Sequence, residues 1–198
     1  MECATKYANT AHETPDFINF YNSTDPKLYE DMCMVIEFSD EQLAMKEIVK
    51  KGNEDGGISC PHDAAILDVG CGTGMFGKLL WDEGYNNMVG TDASSNFLKA
   101  ASEKGIYKET FEHWFGTGRE FPSAHQNRYD VVTACGCLSK GHIEKDGLDE
   151  IHAALKVGGF LVAGWRSYRL VPGAQTGFYE KLEAMKADGK FDKEEVRH

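Results

Sequence analysis

The stretch ILDVGCGTGMFG, Ile66 to Gly77, gathers the residues of this chain best suited to hold a ligand. Gly72, Gly74 and Gly77 fit G-x-G-x-x-G, a turn whose backbone N–H groups take a dinucleotide's pyrophosphate. Gly70, Gly72 and Gly74 fit a different glycine loop, one led by an acidic residue, Asp68. In either reading the glycines allow close backbone approach to a ligand in a tight turn. Asp92 stands twenty residues beyond Gly72, the spacing at which a carboxylate accepts hydrogen bonds from ribose hydroxyls. That acid suits any adenosine ligand and does not separate the two readings.

Asp68 does separate them. It interrupts an apolar run two residues before the turn, where an unpaired carboxylate is costly. Under a pyrophosphate it would repel the ligand. S-adenosylmethionine (SAM) has an ammonium, a sulfonium and no phosphate, so an acid beneath the loop gains an attractive partner, directly or through water. The charge pattern favours SAM over NAD.

These residues need a scaffold that holds two strand ends side by side. From Ala64 onward, short apolar runs alternate with amphipathic segments. Strands are expected at 64–70, 86–92, 107–115, 129–137 and 160–166. Helices are expected at 75–84, 94–105 (capped by Ser94 or Ser95), 146–159 and 177–190, with a loop at 116–128. That alternation predicts an α/β fold, a doubly wound, mostly parallel sheet whose ligands bind at the carboxyl ends of the strands. Upstream, residues 1 to about 22 read as a loose arm and 23–52 as helical, with a helix capped by Ser39 or Asp40 and ended by Gly52. Residues 53–63 read as a linker. The expected division is 1–62, an N-terminal arm and helices packing over the ligand site, and 63–198, one globular domain.

Composition narrows the partners. A net charge of −11 argues against nucleic acid, whose affinity comes largely from Lys and Arg on phosphates. No apolar run approaches the roughly 20 residues of a membrane span. The first residues lack both a secretory apolar segment and an Arg-rich transit bias. Six cysteines, Cys3, Cys33, Cys60, Cys71, Cys135 and Cys137, show no disulfide framework and no zinc spacing, which reads as reduced thiols, a cytoplasmic location and no metal. Trp81 and Trp165 read as core residues.

The run LDVGCGTG, followed by GTD and later by YDVVTACGCLSKG, resembles the class I SAM-dependent methyltransferases, from about Ala64 to Arg166. YEDMCMVIEFSDEQLA and the later GHI resemble, more narrowly, the methyltransferase-like proteins of the Williams–Beuren region type, over roughly Tyr21 to Asp188. The resemblance implies a Rossmann-like fold, SAM as cofactor and S-adenosylhomocysteine as product. It assigns Gly70, Cys71, Gly72, Thr73 and Gly74 to the methionine and sugar part and Asp68 to the amino end. Asp92 would accept both ribose hydroxyls, and Ala93 and Phe97 would flank the adenine. Trp114, with Glu112 two residues earlier, stands near where relatives carry an acid facing the adenine amino group. Cys135 and Gly136 would back the methionine arm. His142, on the loop after the fourth strand, is a candidate for acceptor binding or proton removal, and Tyr29 for folding over the cofactor.

The acceptor is left to absences. An Asn/Asp-Pro-Pro-aromatic signature is missing after the fourth strand, where CGCLSKG stands, and Cys60 precedes Pro61 rather than following it. A small molecule or a protein side chain is the expected methyl acceptor. The end KFDKEEVRH leaves room for at most one further short strand, so the expectation is a shortened sheet or a protein partner over its edge. The alternative function is a weakly active or inactive structural subunit of a larger assembly.

Overall fold

All four residues of strand β1 (Ile66–Val69) are buried, as expected of a strand covered on both faces. The computed structural model, which describes residues 14–35, 60–164 and 171–191, builds a five-stranded sheet around it. The other elements are helices α1 (Thr14–Ser23) and α2 (Pro26–Val35) ahead of β1. After it come α3 (Met75–Asp82), β2 (Met88–Asp92), α4 (Ser95–Glu103), β3 (Glu109–Glu112), β4 (Tyr129–Ala134), α5 (Gly147–Ala154), β5 (Leu155–Ala163) and α6 (Phe178–Ala187). Strand order is β3-β2-β1-β4-β5, and every pairing is parallel. This is the expected doubly wound sheet, and its order reverses between β1 and β4.

Strand alternation sorts the core into two layers. Leu67, Val69, Val132 and Ala134 pack with Leu148, Ile151 and Phe178 from α5 and α6. Ile66 and Val131 point the other way, into Phe76 and Leu80 of α3, with Met88 and Ile106. Asp68 is two residues from Ile66 and therefore shares the α3 face. Its register partners are Gly90 on β2 and Thr133 on β4.

Three expectations need correction. The stretch expected as a loose arm contains α1, in which Phe17 is buried and Tyr21 lies one turn further on. The helix expected to run to Gly159 ends at Ala154, because Asn127 and Arg128 donate backbone hydrogen bonds to the carbonyls of Ala153 and Ala154. β5 then begins at Leu155, with a register shift that leaves Val157 fully exposed. Trp81, expected in the core, is 41% exposed. The expected helix ending at Gly52, most of the linker and Trp165 lie outside the described residues. Among the described residues no helix is long and apolar enough to cross a membrane.

Candidate functional site

The reversal between β1 and β4 opens a cleft at the carboxyl ends of the strands, holding about 970 Å³ including the solvent at its mouth. Its floor is Gly70, Cys71, Gly72 and Thr73 from the loop after β1. Asp92 and Ala93 follow β2, Trp114 follows β3, and Cys135 and Gly136 follow β4. Tyr29 from α2, Phe97 from α4 and His142 complete the walls. Twelve of the residues singled out in the sequence are therefore brought together.

Asp92 is held where an adenosine could reach it. One carboxylate oxygen accepts from the Gly72 N–H at 2.9 Å and the other from the Ser94 N–H at 2.8 Å. A carboxylate offers about four lone-pair sites, so capacity remains for two hydroxyls. Burial raises its pKa, against the opposing pull of those N–H groups. Capping of α4 falls to Ser94, whose Oγ accepts from the Phe97 N–H, so Asp92 is not needed as a cap.

Three singled-out residues lie off the cleft wall. Asp68 is beneath the loop, 1% exposed, with one oxygen accepting from Tyr107 Oη at 2.6 Å and the other from Thr133 Oγ1 at 2.8 Å. Burial pushes its carboxyl up to about 6 although both hydroxyls pull it down, and the charge of Asp92 adds to the rise. Gly74 is the residue before α3, at φ 86°, and turns its Cα toward Tyr107 and Ala101. Glu112 ends β3 paired in register with Asp92 but is exposed. His113, one residue on, is buried, lines the cleft and lies 2.8 Å from Glu150.

The cleft's outer wall comes from α1 and the loop after β4. Tyr21 Oη lies 2.7 Å from His142 Nε2, and Ser139 Oγ lies 3.0 Å from His142 Nδ1. Phe17 packs on the imidazole with ring centroids 4.4 Å apart. His142 is thus built into a hydrogen-bonded group rather than loose on a rim. Phe17, Tyr21, Ser139, Tyr107 and Thr133 were not singled out from the sequence. An aromatic pair spaced i, i+4 was the available signal for the first two.

Cys71, Cys135 and Cys137 are buried at this site. Burial, with the carboxylates of Asp92 and Asp68 nearby, raises the Cys71 and Cys137 thiol pKa values, which keeps both neutral and poorly nucleophilic. Cys137 Sγ donates to the Val69 carbonyl, and a Cβ on Gly70 would come within 2.5 Å of the Cys137 Cβ. Among the described residues no group of three His, Cys, Asp or Glu side chains is placed to hold a metal ion.

Sheet order, the acid-led glycine loop at the reversal point and Asp92 beside it are the features expected of a class I SAM-dependent methyltransferase, and residues 67–161 match a methyltransferase domain family, which supports that class. The chain resembles that family over these residues. It is 28% identical to human methyltransferase-like protein 27 over 154 residues, covering 76% of this chain and 59% of that protein. This agrees with the Williams–Beuren-type resemblance. It is 35% identical to demethylmenaquinone methyltransferase of Bacteroides fragilis over 102 residues, covering 49% of this chain and 41% of that one. The chain thus spans about half the length of these relatives. A TehB-like SAM-dependent methyltransferase of Corynebacterium glutamicum shares the fold, with TM-score 0.52 and 21% identity over 73% of this chain and 71% of that one.

Proposed function

We propose that this chain transfers the sulfonium methyl group of SAM to a small molecule or a protein side chain by in-line displacement. The observation that carries the reading is Asp92, anchored by Gly72 and Ser94 N–H groups with acceptor capacity facing the cleft. In this reading Asp92 receives the ribose hydroxyls, and Ala93, Phe97, Trp114 and Tyr29 enclose the adenine. Gly70, Cys71, Gly72, Thr73, Cys135 and Gly136 take the methionine arm. The buried Thr73 Oγ1, which has no hydrogen-bond partner among the described residues, fits a polar ligand there.

The donor supplies a methyl group already activated by positive charge. The protein's work is alignment of the acceptor and exclusion of water. Phe17, Tyr21 and Ile143 line the cleft with His142 and give the acceptor side an apolar wall with one polar group. His142, held between Tyr21 and Ser139, removes a proton where the acceptor keeps one until attack. Asp68 contributes its charge from below the loop rather than by direct contact.

Two measurements test the reading together. Calorimetry should show binding of SAM and S-adenosylhomocysteine and none of NAD. Labelled SAM, incubated with small-molecule and protein fractions of a lysate, should mark a product that an Asp92→Ala variant fails to make. Binding of NAD in place of SAM would overturn the cofactor assignment. SAM binding with no labelled product, together with co-purification in one large complex, would favour a structural subunit.

A further inference from the structure

The third glycine of G-x-G-x-x-G has a visible occupant in its missing side chain's place. A Cβ on Gly77 would overlap the Tyr107 hydroxyl, and on Gly74 or Gly90 it would come within 3.3 Å of the Tyr107 ring. Three glycines, from the loop, from α3 and from β2, thus leave one slot. Tyr107, just ahead of β3, fills it and reaches the carboxylate of Asp68 at 2.6 Å. The sheet register explains the aim, since Gly90 is the β2 partner of Asp68 and Thr133 its β4 partner. Tyr107 is not part of the cleft wall. Its contact with the ligand site runs through Asp68.

We infer that Tyr107 is a positioning residue of the SAM site, threaded through the Gly74–Gly77–Gly90 slot to hold Asp68 fixed and ionised beneath the glycine loop, so that affinity for the cationic donor depends on a hydroxyl that never touches it. The inference rests on the SAM reading above. A buried carboxylate without donors would take up a proton and lose its attraction for a cation. Here two hydroxyls oppose that uptake, and the nearer one belongs to Tyr107. The other groups facing Asp68 are Asp92, Cys71 and Cys137. Burial raises the pKa values of both thiols and of the Tyr107 hydroxyl, so all three stay protonated near neutral pH. Asp68 and Asp92, both raised by burial, are then the two carboxylates of the group.

The test is calorimetric titration of SAM into the purified chain from pH 5.5 to 8.5, with wild type, Tyr107→Phe, Asp68→Asn and the double variant. With the Asp68 carboxyl at about 6, wild-type affinity should fall by about half at pH 6. Removing a hydrogen bond to a charged group moves a carboxyl by roughly one pH unit. Tyr107→Phe should therefore bind about fivefold more weakly than wild type at pH 6 and within about twofold at pH 8.5. In the Asp68→Asn background the same change should have no pH-dependent effect. A uniform loss at every pH, or the same loss with and without the Asp68 carboxylate, would overturn the inference and leave Tyr107 as packing. Unchanged affinity in Asp68→Asn would overturn it as well. Failure of wild type to bind SAM at any pH would instead reject the SAM reading. Should Tyr107→Phe not fold, the Asp68 carboxyl is followed by carbon NMR in wild type, where its pKa must fall on adding SAM. A carboxyl that does not respond to SAM refutes the inference.

Discussion

Replacing Asp68 by Asn should make the empty protein more stable and a poorer SAM binder. The Asp68 carboxyl titrates at about 6 in the folded chain against an ordinary 3.8, so the native state holds its proton more tightly than the unfolded state does. Below about pH 4 both states carry that proton and the group does not disfavour folding. As pH rises through 6 the native carboxyl must ionise in a buried site, and stability is lost. The separation is about two pH units at about 1.4 kcal/mol each, which gives ~3 kcal/mol of destabilisation at pH 7.5. The side chain is 1% exposed, so solvent screening takes little off that figure. Asn does not ionise, and Tyr107 and Thr133 can each donate to or accept from its amide. Urea unfolding of wild type and variant, without ligand, should show a gain of up to ~3 kcal/mol at pH 7.5 that shrinks toward zero at pH 4. Taking the difference between the two proteins removes the opposite slope from Asp130 and Asp149, whose pKa values are lowered by Lys156 and Lys181 partners. The same variant should lose on the order of 1–3 kcal/mol of SAM affinity at pH 7.5. A variant less stable than wild type at pH 7.5, or a difference that ignores pH, would refute the reasoning.

Asp92→Ala removes the acceptor of the Gly72 and Ser94 N–H bonds, and SAM affinity by calorimetry should fall by about 1–3 kcal/mol or more. Gly77→Ala places a methyl group on the Tyr107 hydroxyl and should lower unfolding free energy by about 1–3 kcal/mol; combining it with Tyr107→Ala should recover much of that in a double-mutant cycle. His142→Gln should lower the rate of methyl transfer while leaving SAM affinity within about twofold, and the rise of rate with pH should disappear if His142 takes the proton; calorimetry and a labelled-methyl assay separate the two readouts. Lys104, which lies 2.5 Å from Glu30 and donates to the Thr73 carbonyl at 2.6 Å, should on change to Met expose α2 to faster limited proteolysis, with little effect on the core.

The sheet was legible because its signals were redundant. Apolar runs, glycine stops and the 66–77 loop each pointed to the same alternation, and the strand order follows from parallel winding. The lining of the cleft was legible for a related reason: Gly70, Gly72, Asp92 and Gly136 sit at strand ends, where sequence position fixes spatial position. What failed depended on contacts between distant segments. The helix end at Ala154 is set by Asn127 and Arg128 reaching back to it, which no pattern within 146–159 encodes. The resemblance pointed to Glu112, two residues before Trp114, near the adenine; Glu112 is exposed at the end of β3, and His113 and Trp114 line the cleft. Tyr107 was read as the first residue of a strand, since nothing local reveals that three glycines elsewhere leave space for its ring.

The two walls of the cleft, proposed to hold donor and acceptor, are joined by direct bonds. Ser94 donates its N–H to Asp92 and its hydroxyl to Asn22 of α1. Asn96, two residues on, donates to the carbonyls of Tyr21 and Thr24. The residue that steadies the Asp92 carboxylate therefore also seats the helix that carries Tyr21, and Tyr21 meets His142 across 121 positions of sequence. A ligand that draws Asp92 into new hydrogen bonds acts on a group already tied to α1, whereas the apolar contacts of Phe17 with His142 and of Tyr21 with Phe97 hold the helix only by packing. Asn22→Ala should then separate the halves: SAM still binds through Asp92, while a bound donor no longer orders α1. Amide exchange in 14–24, slowed by SAM in wild type and indifferent to it in the variant, is the expected result, and equal slowing in both would show that the Ser94–Asn22 bond does not carry the coupling.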